Sequence, residues 1–200
     1  MKKTVLIFVQ LILLVSCNKY YSNSIRVRQI KSTYPIIIRG DTATNRIVAI
    51  NFPLAYIIKN TSKEKVRILP PPSYFWNSLY CKKQGYYSNA LLCYTDEKKQ
   101  LKTVDINTDE ALICDNEKIY IVYTEHYKID TKSSKIQSIF LSNINEMKTK
   151  VQDTLHIESI QQLKQSNPEL VNGFLQGDSI RFVFHYDKKF QTITLPVEVK

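Results

Sequence analysis

Residues 50–68, INFPLAYIIKNTSKEKVRI, decide the fold of this chain. Every second position of the first half is hydrophobic, and this period places the side chains on one face of a strand. These residues are Ile50, Phe52, Leu54, Tyr56 and Ile58. The polar run 59–64 predicts a turn, and Val66 and Ile68 then alternate with basic residues. The stretch therefore predicts an antiparallel hairpin, in which Pro53 indicates an edge position or a bulge.

Alternation recurs outward from this hairpin. Positions 119–129 place Ile119, Ile121, Tyr123, Tyr127 and Ile129 on one face, and 180–186 and 193–199 alternate as well. We expect shorter strands at 136–141 and 155–157, whereas three consecutive prolines at 70–72 should block a central strand.

One region is helical in pattern. Ser159 with Gln162 three residues later forms a capping box, and Asn167-Pro168 interrupts the helical pattern downstream of it. We expect two short helices there, or one that is broken at Asn167.

The composition is that of an ordinary globular protein, with 44% hydrophobic and 23% charged residues, so disorder and coiled coil fit poorly. The 13 Tyr favour strands, and the 4 Gly leave no glycine-rich phosphate loop. The formal charge of +10 comes from scattered lysines. It fits either a lysine-rich soluble surface or attraction to anionic lipid, polysaccharide or nucleic acid.

These patterns predict a mainly β chain, an antiparallel β-sandwich with a short helical insertion near 159–174. The segment PLAYIIKNTSKEKVRI, residues 53–68, resembles the paired strands of immunoglobulin-like domains in exported bacterial proteins. That resemblance implies an immunoglobulin-like fold and no catalytic residues. We expect residues 25–200 to form a single such domain.

The N-terminus has the pattern of a secretory signal peptide. In MKKTVLIFVQLILLVSC, residues 1–17, two lysines precede an apolar run that is too short to span a bilayer. We therefore expect residues 1–16 to be removed, and residues 17–24 to form a short tether in front of the domain.

The segment Leu14-Val15-Ser16-Cys17 resembles the lipobox of bacterial lipoproteins. The resemblance implies that the Cys17 thiol receives diacylglycerol and that the chain is cut before it. Such a protein is exported and anchored to the bacterial membrane. Asn18 stands where an Asp would favour inner-membrane retention, so the outer membrane is the expected location. Export also argues against a nucleic-acid partner.

Three further cysteines remain after Cys17, so they cannot all pair within the chain. Cys81 and Cys93 bracket eleven residues, and a hairpin between them would allow a disulfide. The alternative is that Cys81, Cys93 and Cys114 are buried and reduced. Their spacing indicates no zinc site or other metal.

Aromatic residues crowd the segment from Pro70 to Tyr87, together with two lysines. Such side chains suit a binding surface for an envelope protein or a polysaccharide, with Trp76 or Tyr86 exposed. The alternative is a covering loop packed onto the sandwich. The candidate contact residues are Tyr74, Phe75, Trp76, Tyr80, Tyr86 and Tyr87.

No catalytic residue or cofactor is indicated. The chain has 3 His, and the pairs Glu125–His126, His156–Glu158 and His185–Asp187 are unspecific. We expect a non-enzymatic binding or structural module. A small envelope hydrolase with unassigned catalytic residues, and an inhibitor or immunity-type protein against an envelope toxin or enzyme, are the alternatives.

Overall fold

The computed structural model describes residues 24–77, 86–96, 98–113, 117–127, 129, 134–186 and 189–199. Within these ranges the chain forms two antiparallel sheets and four α-helices, which confirms a mainly β fold. The expected signal peptide 1–16 and the lipidation site Cys17 lie outside them, so both stay predictions.

Sheet A is built around the 15-residue strand β3, which pairs with β9 along most of its length. The opposite side of β3 pairs first with β2 and then with β1. Beyond β9 the order continues with β6 and β7, and β10 lies outside β2. The strands of sheet A are β1 (Ile25–Ile30), β2 (Pro35–Asp41), β3 (Arg46–Asn60), β6 (Leu91–Thr95), β7 (Leu101–Thr103), β9 (Glu117–Tyr127) and β10 (Thr154–Ser159).

Sheet B has the order β12-β11-β4-β5, and a two-residue strand, β8, pairs with the start of β4. The predicted antiparallel hairpin of residues 50–68 is therefore wrong: β3 lies in sheet A and β4 in sheet B, so the two strands do not pair with each other. The strands of sheet B are β4 (Val66–Trp76), β5 (Tyr86–Asn89), β8 (Leu112–Ile113), β11 (Ser179–Tyr186) and β12 (Lys189–Pro196).

The prolines lie within inner strands, contrary to prediction. β4 runs through Pro70-Pro71-Pro72, and Pro53 lies in the centre of β3. Each falls where a ladder is interrupted: β11 shifts register opposite the three prolines, and Pro53 lies between the stretches of β3 that pair with β2 and with β1. A missing N–H costs little at such a gap.

The predicted helical insertion is confirmed. Helix α3 (Ile160–Ser166) begins at the capping box of Ser159 and Gln162, and α4 (Pro168–Leu175) follows the interruption at Asn167. The strand predicted at 136–141 is wrong, because helices α1 (Ser134–Ile139) and α2 (Leu141–Lys150) occupy this region. The buried side chains here are spaced at helical intervals: Ile136, Phe140, Ile144 and Met147.

The main core lies between the two sheets. All five predicted side chains of β3 are buried, and Ile180, Phe182 and Phe184 of β11 face them from sheet B. Sheet A curls into a half-barrel and so departs from the facing sheets of an immunoglobulin-like sandwich. The antiparallel sheets are thus confirmed, and the immunoglobulin-like arrangement is not.

Candidate functional site: a groove in the half-barrel

The concave face of sheet A is the side that faces away from the main core. Tyr34, in the link between β1 and β2, makes a hydroxyl–hydroxyl contact with Thr95 at the end of β6. Strands β3 and β9 lie between these two residues in the sheet order. One side chain can bridge them only because the sheet bends around the space that separates them.

The floor of the concave face is a small hydrophobic cluster, separate from the main core. Its buried members are Ala55, Cys93, Ile121 and Tyr123, which the register brings side by side on β3, β9 and β6. The sequence correctly predicts that Ile121 and Tyr123 share a face with Ile119. The same prediction is wrong for Tyr127 and Ile129, which pack with the main core. The Ile119 side chain lies at the open end of this face and is 54% exposed.

An open groove of about 1020 Å³ runs over this floor, at the upper end of the usual size of ligand pockets. Its base is aliphatic, and its walls carry Tyr34 and Tyr94. Lysines and carboxylates form its charged rim. The residues that line it include Ile30, Lys31, Thr33, Ala55, Asp96, Lys98, Lys102, Glu117, Lys118, Ile119 and Ile121.

One wall of the groove is a polar network centred on Tyr94. Its hydroxyl donates to Glu110 Oε1 at 2.9 Å. The pKa of Tyr94 is raised, mainly by burial and next by the hydrogen bond to Glu110. Lys102 Nζ lies 3.0 Å from Asp96 Oδ2, and this contact raises the pKa of Lys102. Glu110 Oε2 is buried and has no hydrogen-bond partner among the described residues, so it leaves an acceptor in the wall.

A second polar cluster joins the two sheets in the core. Asp178 Oδ2 accepts from the Tyr74 hydroxyl at 2.6 Å and lies 3.0 Å from His126 Nε2, while Oδ1 accepts from the Asn77 N–H at 2.5 Å. Gly177, with φ of +86°, makes the turn that presents Asp178. Four ring systems surround the imidazole: Phe52, Tyr74, Trp76 and Phe174.

This second cluster is structural. The side chains of His126 and Asp178 are fully buried, so no substrate reaches them in this state. The other ring nitrogen of His126, Nδ1, is buried and lacks a partner within the described part of the chain. The pKa of Tyr74 is raised well above its usual value, mainly by burial and next by the charge of Asp178.

The predicted aromatic surface is wrong for two of its residues. Tyr74 is fully buried and Trp76 is 1% exposed, because β4 extends through Trp76 and points both side chains into the core. Phe75 is half-buried. Tyr80 lies outside the described residues, and only the backbone is described for Tyr86 and Tyr87 in β5. A partner-binding role for these three therefore stays a prediction.

The other predicted candidates do not line the groove, although Cys93 lies close to it. That residue is buried in the hydrophobic cluster beneath the groove, and burial raises the pKa of its thiol. Cys81 and Cys114 lie outside the described residues, so a Cys81–Cys93 disulfide stays a prediction. His156 and Glu158 line a shallow depression beside α1 and α2.

The other two histidine pairs lie in different parts of the fold. Glu125 and His126 are neighbours on β9 and so point to opposite faces of the sheet, and Glu125 forms an ion pair with Arg39 at 3.0 Å. His185 packs against Phe190 at a ring distance of 4.8 Å, and Asp187 lies outside the described residues. No group of three or more metal-ligating side chains gathers within the described ranges.

Comparison with known proteins identified no relative of this chain. No protein-family model matches the chain, and neither the search of curated proteins nor that of solved structures found a match. Among the helices that the structure describes, none has the length and hydrophobicity needed to cross a membrane.

Proposed function

We propose that this chain is a lipid-anchored lipoprotein of the bacterial cell envelope and that its folded domain is a non-enzymatic binding module. The observation that carries the binding role is the groove, which combines an aliphatic floor, two tyrosines and a charged rim. Binding sites in proteins share this combination of apolar surface with a few placed polar groups. The ligand is a segment of an envelope protein or polysaccharide.

The anchor is inferred from the lipobox of residues 14–17. More than one acyl chain gives a durable anchor, and the short tether then keeps the domain at the membrane surface. Asn18 supports the outer membrane. An immunoglobulin-like sandwich belongs to the same proposal, and the two antiparallel sheets support it.

A hydrolase has less support. A hydrolytic site needs a base and its partners at the place where the substrate binds. None of the three histidines lines the groove: His126 is buried in the core, His156 lies beside the helices and His185 lies on sheet B. The polar groups of the groove can orient a ligand, and no imidazole stands among them.

The anchor is tested by mass spectrometry of the mature protein from its native envelope. We expect diacylglycerol on Cys17, and Cys17→Ala should leave an unacylated precursor. A mature N-terminus at another residue without lipid would refute the anchor.

The groove is tested with a photo-crosslinking amino acid at Ile119, which lines the open end of the groove, and a control at Phe190, which is 67% exposed on sheet B. Irradiation of native envelopes should capture one defined product at position 119 and none at 190. Thr33→Trp, an exposed substitution in the groove lining, should abolish capture, whereas Thr149→Trp on α2 should not. Equal capture at both positions, or capture that survives Thr33→Trp, would contradict the binding role.

A further inference from the structure

Ser24, at the start of the folded domain, lies beside the turn between β3 and β4. The Ser24 carbonyl accepts hydrogen bonds from the Thr61 N–H at 2.7 Å and from the Thr61 hydroxyl at 2.9 Å. The next residue, Ile25, pairs with Asn60 at the end of β3. The tether that precedes Ser24 therefore enters the domain beside this turn.

The side chain of Asn60 shapes the turn from inside. It is 1% exposed, and its Nδ2 donates to the carbonyls of Glu64 at 2.6 Å and Ile113 at 3.0 Å. Its Oδ1 accepts from the N–H of Ser62 at 3.0 Å and from the Ser62 hydroxyl at 2.8 Å. All four hydrogen-bonding positions of the amide are used. The turn thus keeps its shape without help from its exposed lysines.

The surface around this turn is basic. Lys63 and Lys65 are exposed within the turn, and Arg26 lies directly opposite Lys59 in the pairing of β1 with β3. None of these three lysines forms an ion pair within the part of the chain that the structure describes. We call this set the basic face; its cations are Arg26, Lys59, Lys63 and Lys65, and the neighbouring carboxylates are Glu64 and Glu117.

We propose that the basic face contacts the anionic headgroups of the membrane to which the chain is anchored. This inference rests on the proposed lipid at Cys17. The seven residues from there to Ser24 extend at most about 25 Å, so the end of the domain that carries the turn lies within that distance of the bilayer and can reach it. Lysines at a membrane surface are attracted by anionic lipid, and a basic patch reinforces an acyl anchor.

The contact also orients the groove. Lys59 on β3 lies opposite Glu117 on β9, and Glu117 is the first residue of β9 that lines the groove. This end of the groove therefore lies nearest the membrane. The opposite end of β3, at Arg46, is about 46 Å away along the strand. Helix α2 packs on β2 and β10, and Met147 touches Gly40 near that far end. Exposed Lys148 therefore provides a lysine that the membrane does not reach.

The test inserts the purified lipidated protein into preformed vesicles of phosphatidylcholine, with or without phosphatidylglycerol, and follows acetylation of each lysine by peptide mass spectrometry. We expect acetylation of Lys59, Lys63 and Lys65 to slow at least threefold in anionic vesicles and to recover at high salt, because salt screens exposed charges. Lys148 should react equally in both. Equal rates at Lys63 and Lys65 in the two vesicle types, or equal slowing at Lys148, would overturn the inference.

A matched pair of variants separates this inference from the anchor itself. Lys63→Gln with Lys65→Gln should remove the protection of Lys59 in anionic vesicles, whereas Lys148→Gln should leave it unchanged. Protection of Lys59 that persists in the double variant would refute the basic face. The intact mass of the same sample reports lipid at Cys17: its absence refutes the proposed anchor, and lipid with unprotected lysines refutes the basic face alone.

Discussion

Asp178→Ala should destabilise the domain by about 3–5 kcal/mol. The carboxylate is hydrogen-bonded to three groups in the core: the Tyr74 hydroxyl, the Asn77 N–H and His126 Nε2. A buried polar group left without a partner costs about 1–3 kcal/mol, so the loss of all three bonds sums to about 3–9 kcal/mol. We expect the lower part of the summed range, because water can enter the vacated space.

The assay is urea unfolding followed by tryptophan fluorescence. Trp76 is the single tryptophan of the chain, and its ring stacks on that of His126 at 5.7 Å, so it reports from inside the cluster. Asp153→Ala is the matched control. That residue is exposed, and among the described residues its side chain accepts a hydrogen bond only from the adjacent Thr154 hydroxyl, so the cost should stay below about 0.5 kcal/mol.

A double-mutant cycle tests the reasoning more sharply. Tyr74→Phe should cost about 1 kcal/mol in the natural protein, because it removes one hydrogen bond to Asp178. In the Asp178→Ala background the same change should be neutral or stabilising, since it removes a hydroxyl that has lost its acceptor. Equal costs of Tyr74→Phe in both backgrounds, or a loss at Asp178→Ala no larger than at Asp153→Ala, would refute a coupled buried cluster.

Three further predictions concern the core, the helical insertion and high pH. Phe184→Ala should cost about 3–5 kcal/mol in a urea titration because the ring is fully buried, whereas exposed Thr194→Ala should cost well under 1 kcal/mol; similar losses would contradict the assigned faces. Ser159→Ala should lower the free energy of unfolding by about 1 kcal/mol through loss of the capping box, and Ser159→Thr should retain most of it. Burial raises the pKa of Tyr123 to about 12, so the unfolded chain loses this proton first and stability should fall as pH rises from about 10 to 12. Tyr123→Phe should make that fall shallower in denaturant titrations across this range, and an unchanged slope would show that Tyr123 does not contribute.

Local periodicity determined much of the fold. The alternation of 50–58 and of 180–186 identifies two strands and their buried faces, and the capping box at Ser159 locates the start of a helix. These features depend only on side chains a few residues apart. The strand prediction at 136–141 is wrong for the same reason, because it too uses only a few neighbouring side chains. A short apolar run fits either period, and the helical spacing becomes clear only when Ile144 and Met147 are included.

Tertiary structure decided where the prolines, the aromatic residues and the groove lie. Three prolines are tolerated in an inner strand because the ladder beside them is interrupted, which depends on the register of β11, more than a hundred residues away. Trp76 is buried because sheet A covers β4.

The groove and the buried cluster depend on contacts between residues far apart in the chain. Tyr34 meets Thr95 across 61 residues, and His126 meets Asp178 across 52. Alternation correctly places Ile119 with Ile121 on one face of β9, yet it cannot tell whether that face meets a second sheet or curls around open space. The curl of sheet A is a property of all its strands together, so no local pattern in the sequence encodes it.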